Sequence, residues 1–103
     1  MDWYEKLKKH GDLAQSFAHK VAEVLKDDTL TIDQASKLYR TVSAGAQTFD
    51  DFSSEMDEYD LHESMFEAAE AIESIWDKLT VAVANRVRTM QGLEPIEMPD
   101  DED

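Results

Sequence analysis

No cysteine occurs anywhere in this chain of 103 residues. That absence excludes a disulfide, a thiolate metal site and a thiol nucleophile, and it suits a reducing compartment. Helix breakers are scarce too: two prolines, both after residue 94, and three glycines leave the first ninety or so residues almost free to stay helical. The start, MDWYEKLKKH, has no apolar core of a secretion signal, and no run of 18 apolar residues exists, so neither export nor a membrane span is indicated. The expected location is cytoplasmic. What the chain does have is 42% hydrophobic residues, with two Trp, four Phe and three Tyr spread along it. That is enough to bury one modest core despite 33% charged residues. The expectation is a single all-α domain over residues 1–92, followed by an acidic flexible tail over 93–103.

Charge is unevenly placed. Residues 1–48 hold seven acids and seven bases, so the whole net charge of -14 belongs to residues 49–103. Within that half, residues 50–77 carry eleven acids and no lysine or arginine, residues 78–92 carry Lys78, Arg86 and Arg88 with no acid, and six acids follow from Glu94. A field of this sign repels nucleic acid and anionic membranes and speeds encounter with basic protein surfaces or cations. Direct nucleic-acid binding and membrane binding are therefore disfavoured.

Three main helices are predicted. Over residues 2–26, Trp3, Leu7, His10, Ala14, Phe17, Val21 and Val24 recur at spacings of three and four, one face of a helix. Gly11, with Asp12 and Gln15 as a capping pair behind it, is a candidate break in that helix. Thr31 and Gln34 make a capping box, with Leu30 before it as a hydrophobic staple, and open a second helix over 32–48 striped by Ala35, Leu38, Tyr39, Val42, Ala46 and Phe49. The stretch DDFSSEMDEYD reads as a loop, because Asp and Ser compete for backbone groups. Asp60 with Glu63 suggests a third capping box for the longest helix, 61–91, closed by Gly92 and Pro95. Its apolar side collects Leu61, Met65, Ala68, Ile72, Ile75, Trp76, Leu79, Val83 and Met90. Glu63, Glu67, Glu70 and Asp77 fall opposite. Past Ala68 the apolar character widens through LTVAVANRV, which predicts a cover for that end.

The commonest reading of the acidic row is the solvated face of an amphipathic helix. Exposed helix faces normally mix Glu with Lys, however, and like charges stacked one turn apart cost a few tenths of a kcal/mol each. With Asp50, Asp51, Asp57 and Glu58 beside Glu63, Glu67, Glu70 and Asp77, these eight carboxylates form the candidate partner-binding set, able to imitate a row of phosphates. No catalytic, cofactor or metal residue is indicated elsewhere. None of His10, His19 and His62 has a Glu three residues before it, as a di-iron helix needs. HESMF lacks the second His of a zinc-protease helix. Aligning Ile32 at the apolar position of a calcium loop puts Leu30 where Gly is needed and Ser36 where the bidentate Glu should be. His10 is expected as a packing residue on the apolar stripe and His19 on the polar face. Phe49, Phe52 and Tyr59 are expected as core contacts beneath the loop.

One enzyme family offers a comparison. Glu55-x-x-Glu58 followed by Glu70-x-x-Glu73 resembles the carboxylate pairs by which MazG-like helical nucleotide pyrophosphohydrolases hold magnesium, over about twenty residues. The spacing is one residue short of that family's, and its last position is normally Asp. In size, charge and helical content, the chain also resembles the acidic inhibitors that phages deploy against nucleases and transcription proteins, by composition alone. Three functions are thus in contention. The first is a non-enzymatic inhibitor that binds a basic surface of a protein partner, with nucleic-acid mimicry as its sharpest form and no cofactor. The second is an assembly protein forming a homodimer through the long helix. The third is the MazG-like enzyme.

Overall fold

The computed structural model describes residues 2–94, which form three helices: α1 (Trp3–Leu25), α2 (Ile32–Met56) and α3 (Glu63–Met90). The chain runs up, down and up, so α1 and α3 are parallel and α2 is antiparallel to both. α3 is the central element and packs along both neighbours, whereas α1 and α2 touch each other little.

A seven-residue repeat organises the core. Leu7, Ala14 and Val21 are buried in α1; Ala35, Val42, Phe49 and Met56 in α2; Ala69, Trp76 and Val83, with Ile72 and Leu79, in α3. Such a repeat keeps one seam of each helix turned towards its neighbours along its length. Trp3, His10, Phe17 and Val24, half-buried, occupy the second row of the α1 repeat. This repeat runs through Gly11, and α1 is continuous there: the candidate break does not occur, and Gly11 sits in the helix facing Ile72.

α2 is longer than the expected 32–48. It continues through Phe49, Phe52 and Met56, and the expected loop begins only at Asp57. Burial outweighs the local preference of Asp and Ser here, because all three side chains are buried in the core and Phe49 and Phe52 pack against the first half of α1. The Trp3 ring lies 5.5 Å from that of Phe52, and the His10 ring 4.2 Å from Phe52 and 5.5 Å from Phe49. Tyr59, though half exposed, packs against Trp3 with the ring centroids 4.9 Å apart and the planes tilted by 49°.

The helix ends are specific. The Thr31 Oγ1 accepts from the Gln34 N–H at 3.1 Å and the Gln34 Oε1 accepts from the Thr31 N–H at 3.0 Å, a complete capping box. α3 starts two residues later than expected: its cap is His62, whose Nδ1 accepts from the Ser64 N–H at 3.1 Å, and the Asp60–Glu63 box does not form. Ala69, not Ala68, faces the core. At the other end, Gly92 has φ 78°, its N–H donates to the Thr89 carbonyl at 3.0 Å and the Leu93 N–H to the Arg88 carbonyl at 2.7 Å. This paired arrangement satisfies carbonyls that the helix end would otherwise orphan, and glycine is favoured there because a Cβ disfavours the left-handed region. Of the expected tail over 93–103, Leu93 and Glu94 are exposed and residues 95–103 lie outside the described residues. No helix among the described residues is long and apolar enough to cross a membrane.

Candidate functional site

Helix geometry decides which carboxylates meet. On α2, Ser36, Arg40, Ser43, Gln47 and Asp50 follow at spacings of three and four, so they share the edge beside α3. On α3, Glu73, Asp77, Val81, Ala84 and Arg88 do the same beside α2. Between these edges lies an open cavity of about 710 Å³, rimmed by Asp50 from α2 and by Glu73 and Asp77 from α3, with Lys78 also at its border. Ala46 and Val81 contribute apolar surface to it, and the buried Phe49 and Trp76 lie beneath that surface. A second hollow of about 410 Å³ follows on the same seam towards the end of α3, lined by Tyr39, Arg40, Val87 and Arg88 among others. The groove therefore has an acidic end and a basic end.

Of the eight expected carboxylates, all are exposed, and the cavity gathers only Asp50 and Asp77. Glu73, outside that set, joins them because it lies within about 40° of Asp77 around the helix at 100° per residue. Glu63, Glu67 and Glu70 extend the acidic edge of α3 away from the cavity. Asp51 accepts from the Gln47 Nε2 at 3.1 Å across one turn of α2, and Asp57 and Glu58 lie just beyond that helix. Among the described residues, no three His, Asp or Glu side chains assemble as a metal-ligand group, so Glu55, Glu58, Glu70 and Glu73 do not form the magnesium cluster that the MazG-like resemblance implies.

Trp76 anchors the floor. It is 2% exposed, its ring packs 5.3 Å from that of Phe17, and its edge fills the space a Cβ on Gly45 would need: such an atom would lie 2.6 Å from the Trp76 Cη2. Its Nε1–H is buried with no hydrogen-bond partner among the described residues. Val81, expected to need a cover, lines the cavity.

The two arginines near the end of α3 divide their roles. Arg86 reaches across to α1, donating from Nη1 to the Leu25 carbonyl at 3.0 Å and from Nη2 to the Asp27 carbonyl at 3.1 Å. A cation thus meets the Leu25 carbonyl at the end of α1, where the helix dipole also favours positive charge, and adds a second donor to the Asp27 carbonyl, which also accepts from the Leu30 N–H at 3.2 Å. The Asp27 carboxyl is held below its ordinary value mainly by the Thr29 hydroxyl at 2.7 Å, then by the Thr29 N–H and by Arg86. Arg88 donates from Nε to the Glu94 carbonyl at 2.6 Å and remains at the rim of the groove. His10 is pushed below its ordinary value by burial against the Phe rings and then by the nearby Lys6 ammonium. His19 is exposed.

Comparison with protein-family models, curated proteins and solved structures finds no match to this chain.

Proposed function

We propose that this is a non-enzymatic, cytoplasmic helical protein that binds a basic surface of a protein partner through the acidic edge of α2 and α3, and so blocks that surface to its other ligands. The observation that carries the reading is the cavity with Asp50 on one rim and Glu73 and Asp77 on the other over an apolar floor. Carboxylates on two facing helices can flank a cationic, partly apolar element from both sides, as a solvated helix face by itself cannot. The stretch from residue 50 to 77 contains no lysine or arginine, and Lys78 at the border sets one cation against the three carboxylates of the cavity. Glu63, Glu67 and Glu70 prolong the negative edge and would steer a basic partner towards the cavity, the role in which stacked carboxylates act as a nucleic-acid mimic.

The test uses a synthetic amphipathic helix of leucine and lysine, titrated into the isotope-labelled protein and followed by NMR, with a disordered lysine peptide of equal charge as control. The expected result is salt-sensitive binding of the helix in preference to the control, with shifts centred on Gln47, Ser74 and Val81. Replacing Asp50→Asn, Glu73→Gln and Asp77→Asn together should abolish it, whereas Glu63→Gln, Glu67→Gln and Glu70→Gln should mainly slow association. Shifts that survive the first triple substitution, or that map to α1, would refute the reading.

A further inference from the structure

We propose that one basic surface accepted by the acidic end of the α2–α3 groove is the basic end of the same groove on a second copy of this chain, turned end for end. This rests on the reading that the acidic end takes a basic surface, and it names an occupant. A two-fold interface must be self-complementary, since each patch meets its own image. Few surfaces of a protein with net charge -14 meet that condition, and this groove does. Arg40 and Arg88 border one hollow, and Asp50, Glu73 and Asp77 the next. Ten residues of α2 separate Arg40 from Asp50, roughly 15 Å of helix. That exceeds the screening distance of about 8 Å at physiological salt, so the two ends act as separate charges.

The middle of the groove suits a crossing point. Ser43 and Ala46 on α2 and Ala84 on α3 are small, and small contact residues let helices approach closely. The basic end also carries apolar surface with no cover among the described residues: Tyr39 is 38% and Ile32 41% exposed, and they lie seven residues apart on one side of α2. In the two-fold arrangement, Tyr39 and Ile32 of each copy reach towards the apolar floor beside Trp76 of the other. Lys78, at the border of the acidic end, opposes the pairing locally. Because overall repulsion weakens with salt while the end-to-end pairs also weaken, salt dependence is not diagnostic, and exchange of charge is.

Analytical ultracentrifugation of the full chain up to millimolar concentration provides the measurement. The native protein should dimerise. The variant Arg40→Glu with Arg88→Glu, and the variant Asp50→Lys with Glu73→Lys and Asp77→Lys, should each self-associate at least about tenfold more weakly. An equimolar mixture of the two should form a heterodimer of at least native affinity. Circular dichroism reports that each variant is folded. Arg40→Glu alone, at an exposed site, carries the basic-end arm if loss of Arg88 disturbs the helix terminus. A native protein that stays monomeric, a dimer that persists unchanged in both variants, or a mixture that fails to pair would overturn the proposal. If the native protein is monomeric while the leucine–lysine helix still binds the cavity, self-docking alone falls; if neither occurs, the partner reading falls with it.

Discussion

α3 is sandwiched between two neighbours, and its two seams are built differently. Against α1 the seam is closed at its end by Arg86, which holds the Leu25 and Asp27 carbonyls, and Gly11 faces Ile72 at a distance that admits a methyl group: a Cβ there would lie in ordinary contact, 3.4 Å from the Ile72 Cδ1. Against α2 the seam is tight inside and open outside. Gly45 yields its Cβ space to Trp76, and beyond that contact the helices part to leave the groove. The two glycines teach that one residue type in one setting, a helix interior, can be required or incidental. Gly45 is required because an aromatic ring occupies the place of a side chain. Nothing of the kind holds at Gly11.

Trp76 stands in both seams, so Trp76→Ala should have the largest effect, a loss of about 3–5 kcal/mol in chemical denaturation, with collapse of the groove. Arg86→Ala acts on the α1 seam alone. It should cost about 1–2 kcal/mol and show faster amide hydrogen exchange confined at first to the end of α1, since it leaves the part-buried Leu25 carbonyl without its donor while the Asp27 carbonyl keeps the Leu30 N–H. Gly45→Ala should cost about 1–3 kcal/mol by overpacking, even after the gain in helix propensity, and that cost should shrink when Trp76→Phe is added. Gly11→Ala should do the reverse and stabilise the protein by about 0.5–1 kcal/mol, measured as a higher Tm. A loss at Gly11 matching that at Gly45 would erase the distinction between the seams.

The smallest effect is in pH. His10 lies below its ordinary value near 6.5 in the folded protein, so on acidification the unfolded chain takes up the proton first. Its contribution is complete above about that value and is lost as pH falls through it towards the folded value. His10→Phe should flatten this slope in a series of thermal melts. Asp27 contributes in a separate, more acid window: its lowered value adds stability above the ordinary 3.8, which is lost as pH falls through the folded value.

Features whose physics is local were legible in advance. The capping box at Thr31 and Gln34, the stop at Gly92 and the stripe of α1 each depend on residues within a turn or two of one another. Where neighbours in space decided, the reading was incomplete. Ser53 and Ser54 argue for a loop on local grounds, yet they lie inside α2 because Phe52 and Met56 on either side are buried by another helix. The candidate site divides in the same way. The acidity of the stretch from 50 to 77 is visible as charge, but Glu73 falls outside the expected binding set, and only the antiparallel packing of α2 and α3 sets it and Asp77 across from Asp50. Periodicity within α3 was the signal that could have found it, since Glu73 lies between the acidic row and the apolar face.

By itself, the sequence determined that this chain is helical, where two of its helices are capped, and that all its excess charge lies after residue 48, because backbone propensity, capping and charge are properties of short segments. Tertiary structure alone decided that α1 runs unbroken through Gly11, that α2 extends to Met56, that Arg86 serves the end of α1, and that one groove carries opposite charges at its two ends. These outcomes depend on which surfaces are brought together, and burial against a distant helix contributes more than the local preferences it overrides.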